Sequence, residues 1–449
     1  MSRCSSRNPG IASGETPNGV WEETGVGATE EDTQVVLSSL MARVLAKDNL
    51  LKALHRVTSN KGGPGIDRMT VERLPAYLKD HWPAIRRQLI SGRYHPEPVK
   101  RVIIPKPGGG QRLLGVPTVV DRFIQQALLQ ILQADWDPTF SEQSYGFRPD
   151  RSAHQAVTQA QQYLRAGRSW VVDMDLEKFF DRVNHDLLMR RVKQRIEDPT
   201  ILRLINRILK AGVWQAGTKR PTEEGTPQGG PLSPLLANLL LDDLDKELEQ
   251  RGHCFARYAD DSNIYVKSER AADRVMKSIT RYLEKGLRLK VNERKSAVAR
   301  PWQRSFLSYT FSNRRPNRLK VSDKAIRALK EKVRLLTRRT RGHSLFRVIA
   351  ELKVALLGWK AYFGLSEVVS PLRDLDKWIR RRLRSYLWKQ WGRAGYRELR
   401  KRGVARDLAW NTCKSAHGPW RLSHSPALRY GLSNKYFAGL GLPSLAVSR

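Results

Sequence analysis

Four aspartates occupy two short stretches with apolar flanks: Asp173 and Asp175 in SWVVDMDLEKFF (169–180), and Asp260 and Asp261 in CFARYADDSNIYVKS (254–268). Alternate residues of an extended chain share a face, so Asp173 and Asp175 project together from a strand that also carries Trp170, Val171 and Val172. Burying a carboxylate on such a strand is costly without a partner. Residues 255–258 and 263–266 read as strands, and Ala-Asp-Asp-Ser as the tight connection of a hairpin. An isolated Asp-Asp pair at a hairpin tip is ordinarily a solvated turn. Joined by a carboxylate from a neighbouring strand, it becomes a cage of hard oxygens. Such a cage suits Mg²⁺, which takes one or two carboxylates and leaves room for substrate phosphates, as two-metal phosphoryl transfer requires.

The chain around these acids has 449 residues, enough for two or three domains. It holds 81 Lys+Arg against 44 Asp+Glu, a formal charge of +37. An excess of that size points to a polyanionic partner, most simply nucleic acid. A ribosomal or membrane-surface protein could share the balance, but no apolar run of about 18 residues could span a bilayer. Cys4, Cys254 and Cys413 are too few and too scattered for a disulfide framework or a four-thiolate zinc site, which fits a reducing cytoplasm. The N-terminus lacks the apolar core of a signal peptide, and Glu15, Glu22, Glu23, Glu30, Glu31 and Asp32 make it too acidic for an organellar transit peptide.

The elements that must position the acids follow from local pattern. Residues 1–35, rich in Gly, Ser, Thr and Glu, read as disordered, and a helix is expected over 36–57. A Gly/Pro loop at 59–70 precedes a strand, glycine turn and strand over 99–117, then a helix over 121–135. Residues 169–192 begin as a buried strand and turn helical near Lys178. The Gly/Pro loop from 223 opens a long apolar helix ending near 248; another helix is expected at 270–286 and a strand at 305–312. Three helices follow over 324–340, 344–363 and 372–392. Residues 321–449 hold 29 Lys+Arg against 8 Asp+Glu, more than half of the net charge. Trp359, Trp378, Trp388 and Trp391 lie within this charge, either as core anchors of a bundle or as a platform for stacked bases.

YADD, preceded by QGGPLSPLLANLLLDDLD and DLEKFFDRVNHDLL, resembles the palm of a reverse transcriptase. The resemblance is specifically to bacterial group II intron-encoded reverse transcriptase/maturases. It continues in family order through NKGGPGIDRMTVERL, IPKPGGGQRLLGVPTVVDRFIQQAL, SYGFRPDRSAHQA, GLRLKVNERKSAV and GWKAYF, from about residue 46 to the C-terminus. It implies an α+β right-hand polymerase: fingers and palm with an antiparallel palm sheet over 46–320, and an α-helical thumb/maturase domain over 321–405. A poorly ordered extension and the start of a helix occupy 1–45, and a basic tail that contacts DNA occupies 406–449.

By the same resemblance, Asp175, Asp260 and Asp261 are the catalytic, metal-binding carboxylates, with the Leu176 backbone carbonyl as a further ligand. Asp173 lies off the motif, as a structural or tuning neighbour. Two Mg²⁺ ions, with Mn²⁺ as a substitute, are implied. Lys106 and Arg112 would hold the incoming dNTP, together with Phe179, Phe180, Gln228, Gly229 and Lys295. Phe180 takes the position where an aromatic ring excludes a ribose 2′-hydroxyl. The implied partners are group II intron RNA, an RNA template with a DNA or RNA primer, target DNA and dNTPs, with no membrane. The implied setting is the bacterial cytoplasm, in a ribonucleoprotein or at the nucleoid. No paired cysteines of an HNH endonuclease follow the thumb, so second-strand cleavage is not expected. Two other readings stand beside RNA-directed DNA synthesis with maturase function. One is a domesticated relative serving DNA repair or phage defence, separable by gene context; the other is an RNA-binding splicing factor, which intact Asp175, Asp260 and Asp261 disfavour.

Overall fold

The computed structural model describes residues 39–105, 110–215, 217–222, 224–226, 228–314 and 316–446. The expected disorder of 1–35 lies outside these residues. Within them, the helix expected over 36–57 is two helices, Ser39–Val44 and Lys47–Ser59. The break is chemical: Ala46 is extended, and the Asn49 side chain donates to the Val44 carbonyl at 2.8 Å and to the Ala127 carbonyl at 3.0 Å.

Ten strands are described: β1 (Val99–Pro105), β2 (Gln111–Val116), β3 (Trp170–Asp175), β4 (Val213–Gln215) and β5 (Thr218–Arg220), then β6 (Cys254–Tyr258), β7 (Asp261–Val266), β8 (Ala297–Ala299), β9 (Tyr309–Phe311) and β10 (Leu319–Val321). One sheet runs β2-β1-β4-β5 and carries the basic hairpin; β9 and β10 pair separately. The palm sheet runs β6-β7-β3-β8, antiparallel throughout. A helical region follows, built on Asp323–Leu336, Leu345–Phe363 and Ser370–Trp391. The architecture is therefore α+β, a palm with a helical thumb.

Two cores lie on opposite faces of the palm sheet. Val172, Met174 and Ile264 pack with the helices Val119–Trp136 and Ser233–Gln250. Val171, Ala256 and Tyr265 pack instead with Leu352, Leu356, Leu375 and Ile379 of the thumb. The period of two along β3 puts Asp173 and Asp175 on the thumb-side face. The segment after β3 is not one helix: Phe179–Arg182 and His185–Lys193 are separate, because Val183 and Asn184 are extended and Asn184 caps the second helix through the Leu187 N–H. The strand expected at 305–312 shrinks to β9, since Leu307 and Ser308 take left-handed angles and form a turn.

The four thumb tryptophans are partly buried against the core. Their faces also carry cations: Lys330, Arg334 and Arg382 surround Trp378, and Arg402 sits 4.6 Å from the Trp391 centroid. Residues 406–446 form four short helices, and Leu422, Leu428, Leu432 and Phe437 share the thumb's apolar core. No helix among the described residues is long and apolar enough to cross a membrane.

Candidate active site

Strand register brings the acids together. Asp175 lies opposite Asp261 across β3 and β7, and Asp261 opposite Tyr258 across β6 and β7. The connection is thus two residues long, Ala259 and Asp260, and Asp261 belongs to the strand. Ala259 is left-handed, with φ +58°, a conformation that costs a Cβ-bearing residue about 1–2 kcal/mol. Gly146 crosses this turn so closely that a Cβ there would stand 2.3 Å from the Ala259 nitrogen.

What holds the strained turn is Arg257, whose side chain is 1% exposed. Its Nε donates to Asp245 Oδ1 at 2.7 Å and its Nη2 to Asp245 Oδ2 at 2.5 Å. The remaining donors reach Asn238 Oδ1 (3.1 Å), Ser144 Oγ (2.7 Å) and the Ala259 carbonyl (3.0 Å). Burial nevertheless raises the Asp245 carboxyl above its usual range, with Arg257 pulling it back. Sequence reasoning passed over this residue, although an arginine inside the apolar run FARY was a signal.

Asp175 is held by the 292–296 turn. Asn292 Nδ2 donates to its Oδ2 at 2.9 Å, Ser296 Oγ accepts its N–H at 3.0 Å, and Lys295 Nζ stands 3.2 Å from Oδ2. Neither Asn292 nor Ser296 was singled out from sequence. The backbone bonds Asn292 N to Asp175 O and Glu177 N to Lys290 O flank the Leu176–Val291 bridge. In that pattern the Leu176 carbonyl points away from the 290–292 segment.

Asp173 has other work. Arg304 Nε donates to its Oδ2 at 2.7 Å, and the Asn263 amide, oriented to donate, reaches its Oδ1 at 2.9 Å. The same Arg304 donates to the Lys295 carbonyl. Asp173 therefore tethers the palm strand to the 300–304 segment, and both of its oxygens are engaged.

The electrostatics are those of an anion cluster short of positive charge. Burial, then Asp260, Asp175 and Asp173, push the Asp261 carboxyl up to about 7. Burial and Asp175 also raise Asp260, against its own backbone N–H and the more distant Arg112 and Lys295. Among the described residues no three acidic, His or Cys side chains converge to close a ligand sphere by themselves. An ion held there would need further oxygens from phosphate or water, which Mg²⁺ usually keeps. A divalent cation fits the donor set.

Beside the acids opens a cleft of about 750 Å³ lined by Arg112, Phe180, Gln228, Gly229 and Asp260 among others. Lys106 lies outside the described residues. Phe179 is a correction: it is 2% exposed and faces the core, its ring edge-on to Phe180 at 5.2 Å between centroids. It packs against Phe180 and does not line the cleft. The Phe180 backbone is pinned in turn, its carbonyl accepting Thr226 N–H at 2.7 Å, while buried His185 Nε2 meets the Gly225 carbonyl at 2.6 Å. Gln228 and Gly229 lie against the basic hairpin: the Gly115 N–H donates to the Gln228 carbonyl at 2.9 Å, and a Cβ on Gly229 would stand 2.8 Å from the Gly115 carbonyl oxygen. Lys295 meets Asp175 as above and does not line this cleft.

Two family models match the chain. The family described as reverse transcriptase (RNA-dependent DNA polymerase) matches residues 104–311, and that of the group II intron maturase-specific domain matches 326–404. Protein YkfC of Escherichia coli strain K12 is 34% identical over 307 residues, 60% of this chain and 81% of that protein. The group II intron-encoded protein LtrA of Lactococcus lactis subsp. cremoris is 36% identical over 221 residues, 49% of this chain. The chain spans 36% of the length of LtrA.

Proposed function

The chain belongs to the family of group II intron reverse transcriptases and maturases, and from that premise we propose that it copies intron RNA into DNA at the Asp175–Asp260–Asp261 site. RNA-directed DNA polymerisation is the activity of its matched family, which uses divalent metal ions. The observation that carries the site assignment is the register placing Asp175 opposite Asp261, with Asp260 in the turn between the paired strands.

Asp175, Asp260, Asp261 and the Leu176 carbonyl would hold two Mg²⁺ ions. Bound there, the ions supply Lewis-acid stabilisation of the attacking and leaving oxygens. The chain's own groups do the rest. Arg112 grips the triphosphate, its planar fork matching phosphate oxygens. Lys295 brings a point charge beside Asp175. Phe180 closes the sugar side of the cleft, and the backbone at Gln228 and Gly229 supports the nucleotide. Catalysis is then positioning and charge neutralisation, with the primer 3′-hydroxyl attacking the α-phosphate.

The basic thumb would bind intron RNA and the template–primer duplex, and 406–446 target DNA, in service of splicing and retrohoming. Counterion release from so many Lys and Arg residues makes that binding strongly salt-dependent. The decisive assay is primer extension on an RNA template by Asp260→Ala, paired with RNA binding by the same variant. Extension should vanish while binding persists; full-length cDNA from the variant would remove the assignment.

A further inference from the structure

His185 belongs to the stretch DLEKFFDRVNHDLL, yet the polymerase assignment above gives it no part. It is the first residue of the helix His185–Lys193, whose start is fixed by the Asn184 cap, and it is 3% exposed. Its Nε2 lies 2.6 Å from the Gly225 carbonyl oxygen, and its Nδ1 is buried with no partner among the described residues. A carbonyl only accepts, so Nε2 carries a hydrogen and donates it. The other ring nitrogen is then a polar atom buried without a hydrogen bond, which is costly. A leucine would fill this place and bring no such atom. What the histidine has that an apolar residue lacks is the one donor aimed at Gly225.

The peptide it holds reaches Phe180. The Gly225 carbonyl and the Thr226 N–H belong to one planar unit and point in opposite directions. His185 donates to the oxygen of that unit, and its N–H donates to the Phe180 carbonyl at 2.7 Å. Rotating the plane would break both bonds together. Gly225, at φ +90°, is the one residue type that turns freely here. A side chain is excluded, since a Cβ would stand 2.9 Å from the carbonyl oxygens of Phe180 and Asp181. The Gly225 N–H, donating to the Val183 carbonyl at 2.7 Å, holds the preceding peptide and not this one.

Phe180 depends on that support. Its helix, Phe179–Arg182, has four residues, entered through left-handed Lys178 and left through extended Val183. So short a helix has little stability of its own. The buried Phe179 ring anchors it in the core, and the Gly225–Thr226 peptide holds its backbone, while the Phe180 ring lines the cleft beside Asp260.

We infer that His185 is a positioning residue for sugar selection: through the Gly225–Thr226 peptide it sets where the Phe180 ring meets the 2′ position of the incoming nucleotide. The inference rests on the reading of Phe180 as the ring that excludes a ribose 2′-hydroxyl.

Single-nucleotide insertion by the full-length protein, on an RNA template annealed to a DNA primer, gives kcat and KM for a dNTP and the matching rNTP. The dNTP/rNTP ratio of kcat/KM does not depend on how much of the protein is folded, so a loss of stability alone leaves it unchanged. His185→Leu removes the donor at similar volume. It should lower the ratio about fivefold, less than loss of the whole ring, through a lower KM for the ribonucleotide. His185→Gln, whose Nε2 can reach the same carbonyl, should restore most of the ratio. Adding His185→Leu to Phe180→Ala should lower it no further. A wild-type ratio in His185→Leu beside a lowered one in Phe180→Ala would overturn the inference and leave the reading of Phe180 standing. An unchanged ratio in Phe180→Ala would overturn both. Additive losses in the double variant, or a Gln variant no better than the Leu variant, would overturn the inference alone. Should His185→Leu fail to fold, His185→Phe, which keeps a flat ring without the donor, takes its place.

Discussion

Replacing Arg257 by Met tests whether the catalytic turn is held from behind. The substitution keeps length and apolar volume but removes five hydrogen bonds made by a side chain that is 1% exposed, two of them to an Asp245 side chain that is 0% exposed. Breaking a buried ion pair by deleting one partner costs about 3–5 kcal/mol. At about 2.1 cal/mol/K of unfolding entropy per residue, a chain of 449 residues turns that into a fall in unfolding temperature of about 3–5 °C. Asp245 would then take up a proton to remain buried. Burial already raises its carboxyl in the wild-type protein; without Arg257 to pull it back, it binds the proton more tightly still, so the extra penalty should grow as pH rises. Arg257→Met should therefore melt lower at pH 8 than at pH 6, relative to wild type.

The second consequence concerns function. Without Arg257, the Ala259 carbonyl loses its donor, and the left-handed turn has nothing to offset about 1–2 kcal/mol of strain. The double variant Arg257→Met/Asp245→Leu separates the two effects. Removing both charges should restore most of the melting temperature, because a buried pair exchanged for apolar groups is near neutral. It should not restore the turn, and primer extension should stay at least about tenfold below wild type if a small misplacement of Asp260 matters as positioning arguments require. Scanning fluorimetry at two pH values and steady-state extension measure both. A double variant that is stable and fully active would show that Arg257 serves the fold alone, and a single variant melting like wild type would refute the energetic argument.

Phe180→Ala should admit ribonucleotides, lowering the dNTP/rNTP efficiency ratio at least about tenfold, since the cleft loses the ring that would meet a 2′-hydroxyl; single-nucleotide insertion kinetics with unchanged discrimination would count against the role. Gly225→Ala places a Cβ 2.9 Å from the Phe180 and Asp181 carbonyl oxygens at φ +90°. It should weaken sugar discrimination as well as lower the melting temperature, and native discrimination would show that the 224–226 segment does not set Phe180. Asp261 sits at about 7 instead of the usual 3.8. A carboxyl so raised binds its proton more tightly folded than unfolded, so without metal its ionisation costs stability increasingly as pH rises from about 4 to 7. A bound cation needs the ionised form, so Mg²⁺ affinity should fall as pH drops below about 7. Titration calorimetry at pH 6 and 8 should also show more proton release at the lower pH, and a pH-independent affinity would refute the assignment.

The acids were legible in the sequence because a charge on an apolar strand has few cheap explanations, and strand periodicity put Asp173 and Asp175 on one face. The same periodicity could not separate their roles. Arg304, which engages Asp173, lies 131 residues away. An adjacent pair of rings carries no phase, so the sequence could not say that Phe179 is the ring that lies inward, 2% exposed, behind a left-handed Lys178 at φ +49°. Arg257 was illegible for the reason Arg304 was, its partners lying 12, 19 and 113 residues distant. The Ser39–Val44 and Lys47–Ser59 break shows the reverse case, where local propensity favours one helix and an asparagine bridging to the Ala127 carbonyl makes two.

The division of the palm strand between two cores bears on how the thumb serves the acids. Val172 and Met174 anchor β3 to the helices behind it, while Val171 on the catalytic face shares its core with the thumb helices. The thumb is also tied by polar contacts at its base: Glu367 accepts from the Leu319 N–H at 2.7 Å and from Gln161 Nε2 at 2.6 Å, and the Tyr362 hydroxyl donates to the Leu307 carbonyl at 2.9 Å. Leu307 lies in the left-handed turn that leads into β9. Close-packed interiors transmit displacement and do not absorb it. A duplex gripped by the thumb would therefore be held in register with the face that carries Asp173 and Asp175. Repositioning the thumb would require breaking those contacts at its base, and the same contacts join the basic surface to the face that carries Asp173 and Asp175.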